Sequence, residues 1–186
     1  MARKKQYNEQ EVIEKAMHLF WKNGYEATSV RMLEKEMGIN QFSMYASFKN
    51  KQGVFLKSIE CYNRQLHKIK SKLANSQNGV AGIQQYFYDF LDFSLEGISY
   101  KGCLVTNSIN EIKPTDVEIL EALKRFANEI RNLFVSNLKQ DDLKKEAIVQ
   151  KQADYLMNNL LGLSLASKVF DKTQLNNMIE ITFLHL

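Results

Sequence analysis

The stretch from Thr28 to Phe55, TSVRMLEKEMGINQFSMYASFKNKQGVF, leaves this chain little choice of fold. Val30, Leu33 and Met37 recur at helical spacing and share one face, with Glu34 between them. Gly38 follows, where a glycine ends a helix cheaply by taking left-handed backbone angles. Ile39 is an apolar anchor for the turn, and Asn40 is a good N-cap for a second helix over residues 41–47. That second helix is too short to be stable alone. Met44 and Phe48 would pin it to the first, leaving Gln41, Phe42, Ser43, Ala46 and Ser47 facing outward. A short helix clamped on one side and free on the other is what a helix-turn-helix offers a DNA groove. A helical hairpin with only a packing role fits the same pattern.

The rest of the chain predicts more helix. One proline and eight glycines in 186 residues leave few breaks, so the expected fold is all-α. The expectation is a three-helix unit over residues 1–50 and a second helical domain over 51–186, about nine helices in all. No run approaches the roughly 18 apolar residues of a membrane span, so no membrane partner is expected. The start, MARKKQYNEQE, lacks the apolar segment of a signal peptide. Cys61 and Cys103 make no disulfide framework, which points to a reducing cytoplasm. The net charge of +4 is unevenly spread. Residues 1–72 hold 14 Lys and Arg against 7 Asp and Glu, while the remainder holds 11 against 14. A basic first third beside an acidic body suits a polyanionic partner at that end. A solvated basic surface would give the same count.

Taken in order, Arg3, Lys4 and Lys5 form a basic arm that could follow a phosphate backbone or enter a minor groove. A helix opens at Asn8, with Glu11 as capping-box partner, and carries Val12, Ile13, Ala16, Leu19 and Phe20 as far as Gly24. Asn50 caps the next helix, with Lys51 in its first turn, where a lysine is favourable only if a phosphate arrives too. That helix is expected to run unbroken to about Leu73, roughly 35 Å, and to be the lever between two sites. NSQNG at 75–79 reads as a loop. The aromatics Tyr86, Phe87, Tyr88, Phe90 and Phe93 on the helix over 80–95 suit core packing or the wall of an apolar pocket. A short helix over 103–112 follows. Pro114 stops it, and a capping box of Thr115 and Glu118 opens the helix over 116–138. The last two helices, 142–171 and 173–186, are apolar or small on almost every side, so a second copy of the chain is the expected cover.

Catalysis finds no support in the pattern. His18, His67 and His185 lie on separate predicted helices without metal spacing, and no phosphate-binding glycine loop or local Ser/His/Asp set is present. No cofactor and no metal are called for. Cys103, preceded by Lys101 and opening a helix, has two features that favour a thiolate, so oxidant or electrophile sensing stands beside a plain packing role. Asn107 and Glu111 lie one turn apart, close to the expected pocket.

The first fifty-five residues resemble the TetR family of transcriptional regulators. The matching segments are LFWKNGYEATSV, Gly38-Ile39 and SMYASFKNKQGVF, with Gly24-Tyr25, Thr28-Ser29, the turn glycine, and the close Tyr45, Phe48, Lys51. KGCLVTNSINEI is similar to a Gly-Cys-Leu-x-x-Asn motif of one large subgroup. The resemblance implies phosphate contacts from Thr28, Tyr45 and Lys51 and base contacts from Gln41 and its neighbours. It also implies a homodimer built on the last two helices. Phe42 departs from the family, which usually has a small residue there, so the reading surface is bulkier. The expected DNA set is Thr28, Ser29, Gln41, Phe42, Ser43, Tyr45, Ser47, Lys49 and Lys51. The expected set for a small apolar or aromatic effector is Tyr86, Phe90, Phe93, Cys103, Asn107, Glu111, Phe126, Tyr155 and Asn159. The expected dimer set is Leu160, Leu163, Ala166, Val169, Phe170, Met178, Ile179 and Phe183. The function these imply is a repressor released from a palindromic operator by a ligand. A thiol-sensing regulator and a DNA-binding dimer with no effector are the alternatives.

Overall fold

The computed structural model describes residues 7–95, 102–184 and 186; the basic arm Arg3–Lys5, Lys101 and His185 lie outside them. Among the described residues there are ten helices and no strand. They are α1 (Glu9–Asn23), α2 (Val30–Met37), α3 (Gln41–Phe48), α4 (Lys51–Gln65), α5 (His67–Ala74), α6 (Val80–Leu95), α7 (Leu104–Ile109), α8 (Val117–Leu138), α9 (Glu146–Ala166) and α10 (Lys172–Phe183).

α1 buries Val12, Ile13, Ala16, Met17, Phe20 and Trp21, chiefly against α4. Phe20 meets Phe55 edge-on at 5.0 Å and Trp21 meets Tyr62 likewise at 5.0 Å. Each large apolar side chain removed from water contributes roughly 1.5–3 kcal/mol, so this aromatic seam fixes α4 beneath the first three helices. One apolar core continues from it through α6, α8, α9 and α10.

The lever differs from expectation. It is interrupted at Leu66, where one helix was expected, giving ten helices where the sequence suggested about nine. Leu66 keeps helical angles (φ −76°, ψ −5°), and its N–H still donates to Tyr62 O at 3.2 Å. No Pro or Gly lies at the interruption. Leu66 is fully buried there, and the buried Lys70 donates to Asn63 and to Glu129 on α8.

Helix ends follow the sequence signals at some places and not at others. Ser29, Asn40 and Asn50 each cap as their residue types favour, and Gly38 takes the left-handed angles (φ 68°, ψ 25°). Asn8 caps α1, but Glu11 bonds the Asn8 side-chain amide at 3.2 Å and leaves the backbone alone. The Thr115–Glu118 box does not form. Asp116 stands at the N-cap of α8, and its carboxylate accepts from Lys113 N–H at 3.1 Å. α7 ends at Ile109, three residues early, and α9 and α10 are shorter than predicted.

The expected dimer set is largely absorbed by the chain's own core. Leu160, Leu163 and Ile179 are buried, Ala166 and Met178 are half-buried, and Phe183 packs edge-on against Phe87 at 5.0 Å. The small residues of α9 also serve inward. Ser164 Oγ accepts from Cys103 N–H at 2.8 Å, and a Cβ at Gly162 would touch Met178. Of that set only Val169 and Phe170 are exposed, past the end of α9; Ile148, Tyr155 and Ile181 are exposed together where α9 meets α10.

Candidate nucleic-acid interface and apolar cavity

α3 is held at several points. Met44 and Phe48 are buried beneath it, and Asn40 Oδ1 accepts from Ser43 N–H at 2.8 Å. Glu34 of α2 accepts from Gln41 N–H, which occupies a free donor at the helix N-terminus. Tyr7 hydroxyl bonds Ser43 O at 3.2 Å and Ser47 Oγ at 2.6 Å from the other side. Gly53 completes the clamp, because a Cβ there would overlap Phe48 O. No sequence pattern flagged Tyr7 or Gly53, since both act through partners several residues away.

The opposite side of α3 is open. Gln41 and Phe42 are exposed, Phe42 at 83% of its surface, while Ser43, Tyr45 and Ser47 are half-exposed. Lys49 follows as an exposed C-cap with φ 68°, an unusual angle for a non-glycine residue. Ser29 is exposed, but its hydroxyl is engaged as cap of α2, accepting from Met32 N–H at 3.2 Å. Thr28 corrects an expectation. It is 0% exposed, and its hydroxyl donates to Gly24 O at 2.6 Å, so it braces the turn and offers no hydroxyl to a phosphate.

Lys51 opens α4 next to this surface. Its ammonium donates to Glu26 O at 3.3 Å and lies 4.5 Å from the centre of the Tyr25 ring. Burial draws the Lys51 pKa below its ordinary value, against the opposing pull of Glu26 and Glu111. A lysine has three N–H donors, so two remain for another acceptor.

The effector set divides. Phe90, Cys103 and Phe126 line an apolar cavity of about 240 Å³ between α6, α7, α8 and α9, with Val105, Thr106, Ile109, Met157 and Leu160 completing much of its wall. Tyr86 and Phe93 are packed behind it, stacked on Phe90 (6.4 Å) and on Trp21 (5.8 Å). Tyr155 and Asn159 do not line the cavity. Tyr155 lies on the outer α9–α10 face, and Asn159 Oδ1 accepts from Thr182 at 3.3 Å on the same seam. Asn107 is half-buried beside Gly102. Glu111 lies at the junction with α1–α3, where its Oε2 accepts from Glu26 N–H at 2.8 Å. A larger cleft of about 500 Å³ lies between α4 and α8 and is rimmed by Glu60, Glu118, Glu121 and Glu129, with Arg125.

Cys103 is 3% exposed and stands at the N-cap of α7. Burial pushes its thiol above the usual value, outweighing hydrogen bonds from Tyr62, Thr106 and Val105 that act the other way. The expected thiolate is therefore not favoured here. Cys61 is buried as well, and its thiol is likewise raised by burial.

A clamped short helix with one exposed face, carried by a helical body, defines a helix-turn-helix DNA-binding regulator. Residues 12–57 match the family model described as bacterial regulatory proteins, tetR family. The segment that carries the clamped helix is therefore a TetR-family DNA-binding unit. The chain is 27% identical over 172 residues to the HTH-type transcriptional repressor ComR of Escherichia coli K12, covering 89% of this chain and 82% of ComR. It is 27% identical over 86 residues to IcaR of Staphylococcus aureus strain Newman, a negative regulator of the biofilm operon icaADBC, covering 46% of each. Among solved structures, it superposes on a cysteine mutant of the TetR-family regulator CifR complexed with 26 bp operator DNA. The TM-score is 0.88 at 22% identity, over 98% of this chain and 99% of that one. Reduced NemR of E. coli gives 0.76 at 18% identity, over 95% and 93%. Regulation of transcription is a non-enzymatic role, and no helix among the described residues is long and apolar enough to cross a membrane.

Proposed function

We propose that the chain is a cytoplasmic, homodimeric repressor that grips a palindromic operator and lets go when a small apolar ligand fills the α6–α9 cavity. Residues 1–50 read DNA; residues 51–186 bind the effector and dimerise. One observation carries the reading: Gln41 and Phe42 are exposed on a helix whose other side, Met44 and Phe48, is locked into the core. Gln41 can bond a base edge twice, Phe42 meets a thymine methyl, and Ser43 and Ser47 lie on the same surface. Tyr45, Lys49, Lys51 and the Ser29 end of α2 hold phosphates and so fix register without reading sequence. Two copies of α3 would enter successive major grooves about 34–36 Å apart. The exposed Ile148, Tyr155 and Ile181 on α9 and α10 are the surface a second copy would cover, with the exposed Val169 and Phe170 past the end of α9 as a further contact. The cavity wall is almost wholly apolar, which selects an apolar or aromatic ligand of modest size. Such a ligand acts by binding the form with displaced reading helices better than the DNA-bound form.

The test uses operator fragments selected from genomic DNA by the purified protein, with affinity followed over a range of salt. Lys51→Ala should weaken binding to all sequences and reduce the slope of log K against log salt by about 0.9 per protomer. An unchanged slope defeats the phosphate role, and failure to select any sequence defeats the operator reading.

A further inference from the structure

The turn between α7 and α8 ends on the DNA-binding unit, and it does so through one residue. Glu26 is held at both ends of its backbone. Its N–H donates to Glu111 Oε2 at 2.8 Å, and its carbonyl accepts from Lys51 Nζ at 3.3 Å. Its side chain pairs with Lys113 at 3.4 Å, so the same short turn reaches it twice. The fit is close. Gly24 has φ 86°, and a Cβ there would overlap the Glu111 carboxylate. The Lys51 ammonium rests over the ring of Tyr25, the residue before Glu26. Tyr25 and Glu26 thus form a shelf for the lysine, and Glu111 is the group from the body that fixes the height of that shelf.

We propose that Glu111 is a positioning residue for DNA binding: by holding the Glu26 N–H it sets where the Lys51 ammonium stands. The proposal rests on the reading of Lys51 as a phosphate contact. A carboxylate accepting from a backbone N–H is a charge-assisted bond, about twice as strong as a neutral one, so it adds substantially to the Thr28–Gly24 and Lys113–Glu26 contacts that hold this turn. Without it the Glu26 N–H loses its partner, and the Glu26 carbonyl that receives the lysine is less firmly held, although the Tyr25 ring stays packed on Phe20 and Phe55. The placement also gives the turn a second consequence. Ile109, two residues before Glu111, lines the apolar cavity, so the segment that contacts a ligand there is continuous with the residue that steadies Lys51.

The experiment measures operator affinity against salt for the full chain and for Glu111→Ala, Glu111→Gln, Lys51→Ala and the double variant Glu111→Ala/Lys51→Ala. Circular dichroism melts accompany each. Glu111→Ala should weaken binding about tenfold and flatten the salt slope nearly as far as Lys51→Ala does. Glu111→Gln keeps an acceptor oxygen and should recover most of the affinity. The double variant should bind no more weakly than Lys51→Ala, because the two residues act through one contact. Losses that multiply in the double variant overturn the proposal, as does a Glu111→Ala that lowers the melting temperature but leaves the salt slope alone. If Lys51→Ala itself leaves the slope unchanged, the phosphate reading falls and this one with it. If Lys51→Ala flattens the slope and Glu111→Ala does not, only the positioning role is lost.

Discussion

Met44→Ala tests the clamp on the reading helix. Met44 is fully buried, and truncation to alanine removes Cγ, Sδ and Cε from the space beneath α3. Three buried groups at about 0.8 kcal/mol each lose roughly 2 kcal/mol of transfer energy. A residual void of about 50 Å³ adds roughly 1 kcal/mol, giving about 3 kcal/mol in all, within the range for Met→Ala in cores. The loss should be local. α3 has eight residues and buries only Met44 and Phe48, so it can undock while α8 stays packed. At 1.4 kcal/mol per decade, amide protection across α3 should fall about 100-fold. Hydrogen exchange followed by mass spectrometry reads this directly, with α8 as the internal reference. Operator affinity should fall by the fraction of molecules undocked. Equal loss of protection in α3 and α8, or a change in α3 below about tenfold, would refute the claim that α3 is an independently clamped element.

Three further outcomes follow from the geometry. Gly102→Ala forces a side chain onto φ 78° and puts its Cβ 2.7 Å from Ser164 O, so it should cost about 2–4 kcal/mol and lower the melting temperature by roughly 4–16 °C. A shift under about 2 °C would show that α9 yields. Burial pushes the Glu129 carboxyl up, but hydrogen bonds from Lys70 and Asn63 outweigh it and leave its pKa below the ordinary value. A depressed carboxylate stabilises the fold above its unfolded pKa, near 4.3, and that contribution is lost as pH falls through the folded value. Glu129 is about half exposed, so the contribution is at most about 1 kcal/mol, and Lys70→Met should flatten the acid limb of urea midpoints between about pH 5 and 3. An unaltered acid limb would remove the pair from the balance. Ile181→Glu, on the exposed α10 face, should shift the dimer toward monomer in sedimentation without lowering helicity, and a dimer of unchanged strength would place the interface elsewhere.

The local signals were strong enough to specify what is local. Helical spacing, Gly38 and the caps Asn40 and Asn50 define the helix-turn-helix, because a cap bond or a left-handed turn is decided within about four residues. The aromatic run on α6 likewise announced an apolar interior, and Phe90 of that run lines a cavity. Tertiary structure decided the rest. Periodicity shows that Leu160, Leu163 and Ile179 have an apolar face but not whether their own chain or a second copy covers it; here their own chain does. No breaking residue lies at Leu66, yet the lever is interrupted there, where Leu66 and Lys70 are buried. The Thr28 hydroxyl turned inward because the Gly24 carbonyl was within reach. Glu111 found a backbone N–H 85 residues away, at the reading unit and outside the cavity. A hydrogen bond between segments so far apart depends on the path of the chain between them, and residue types at either end carry no record of that path.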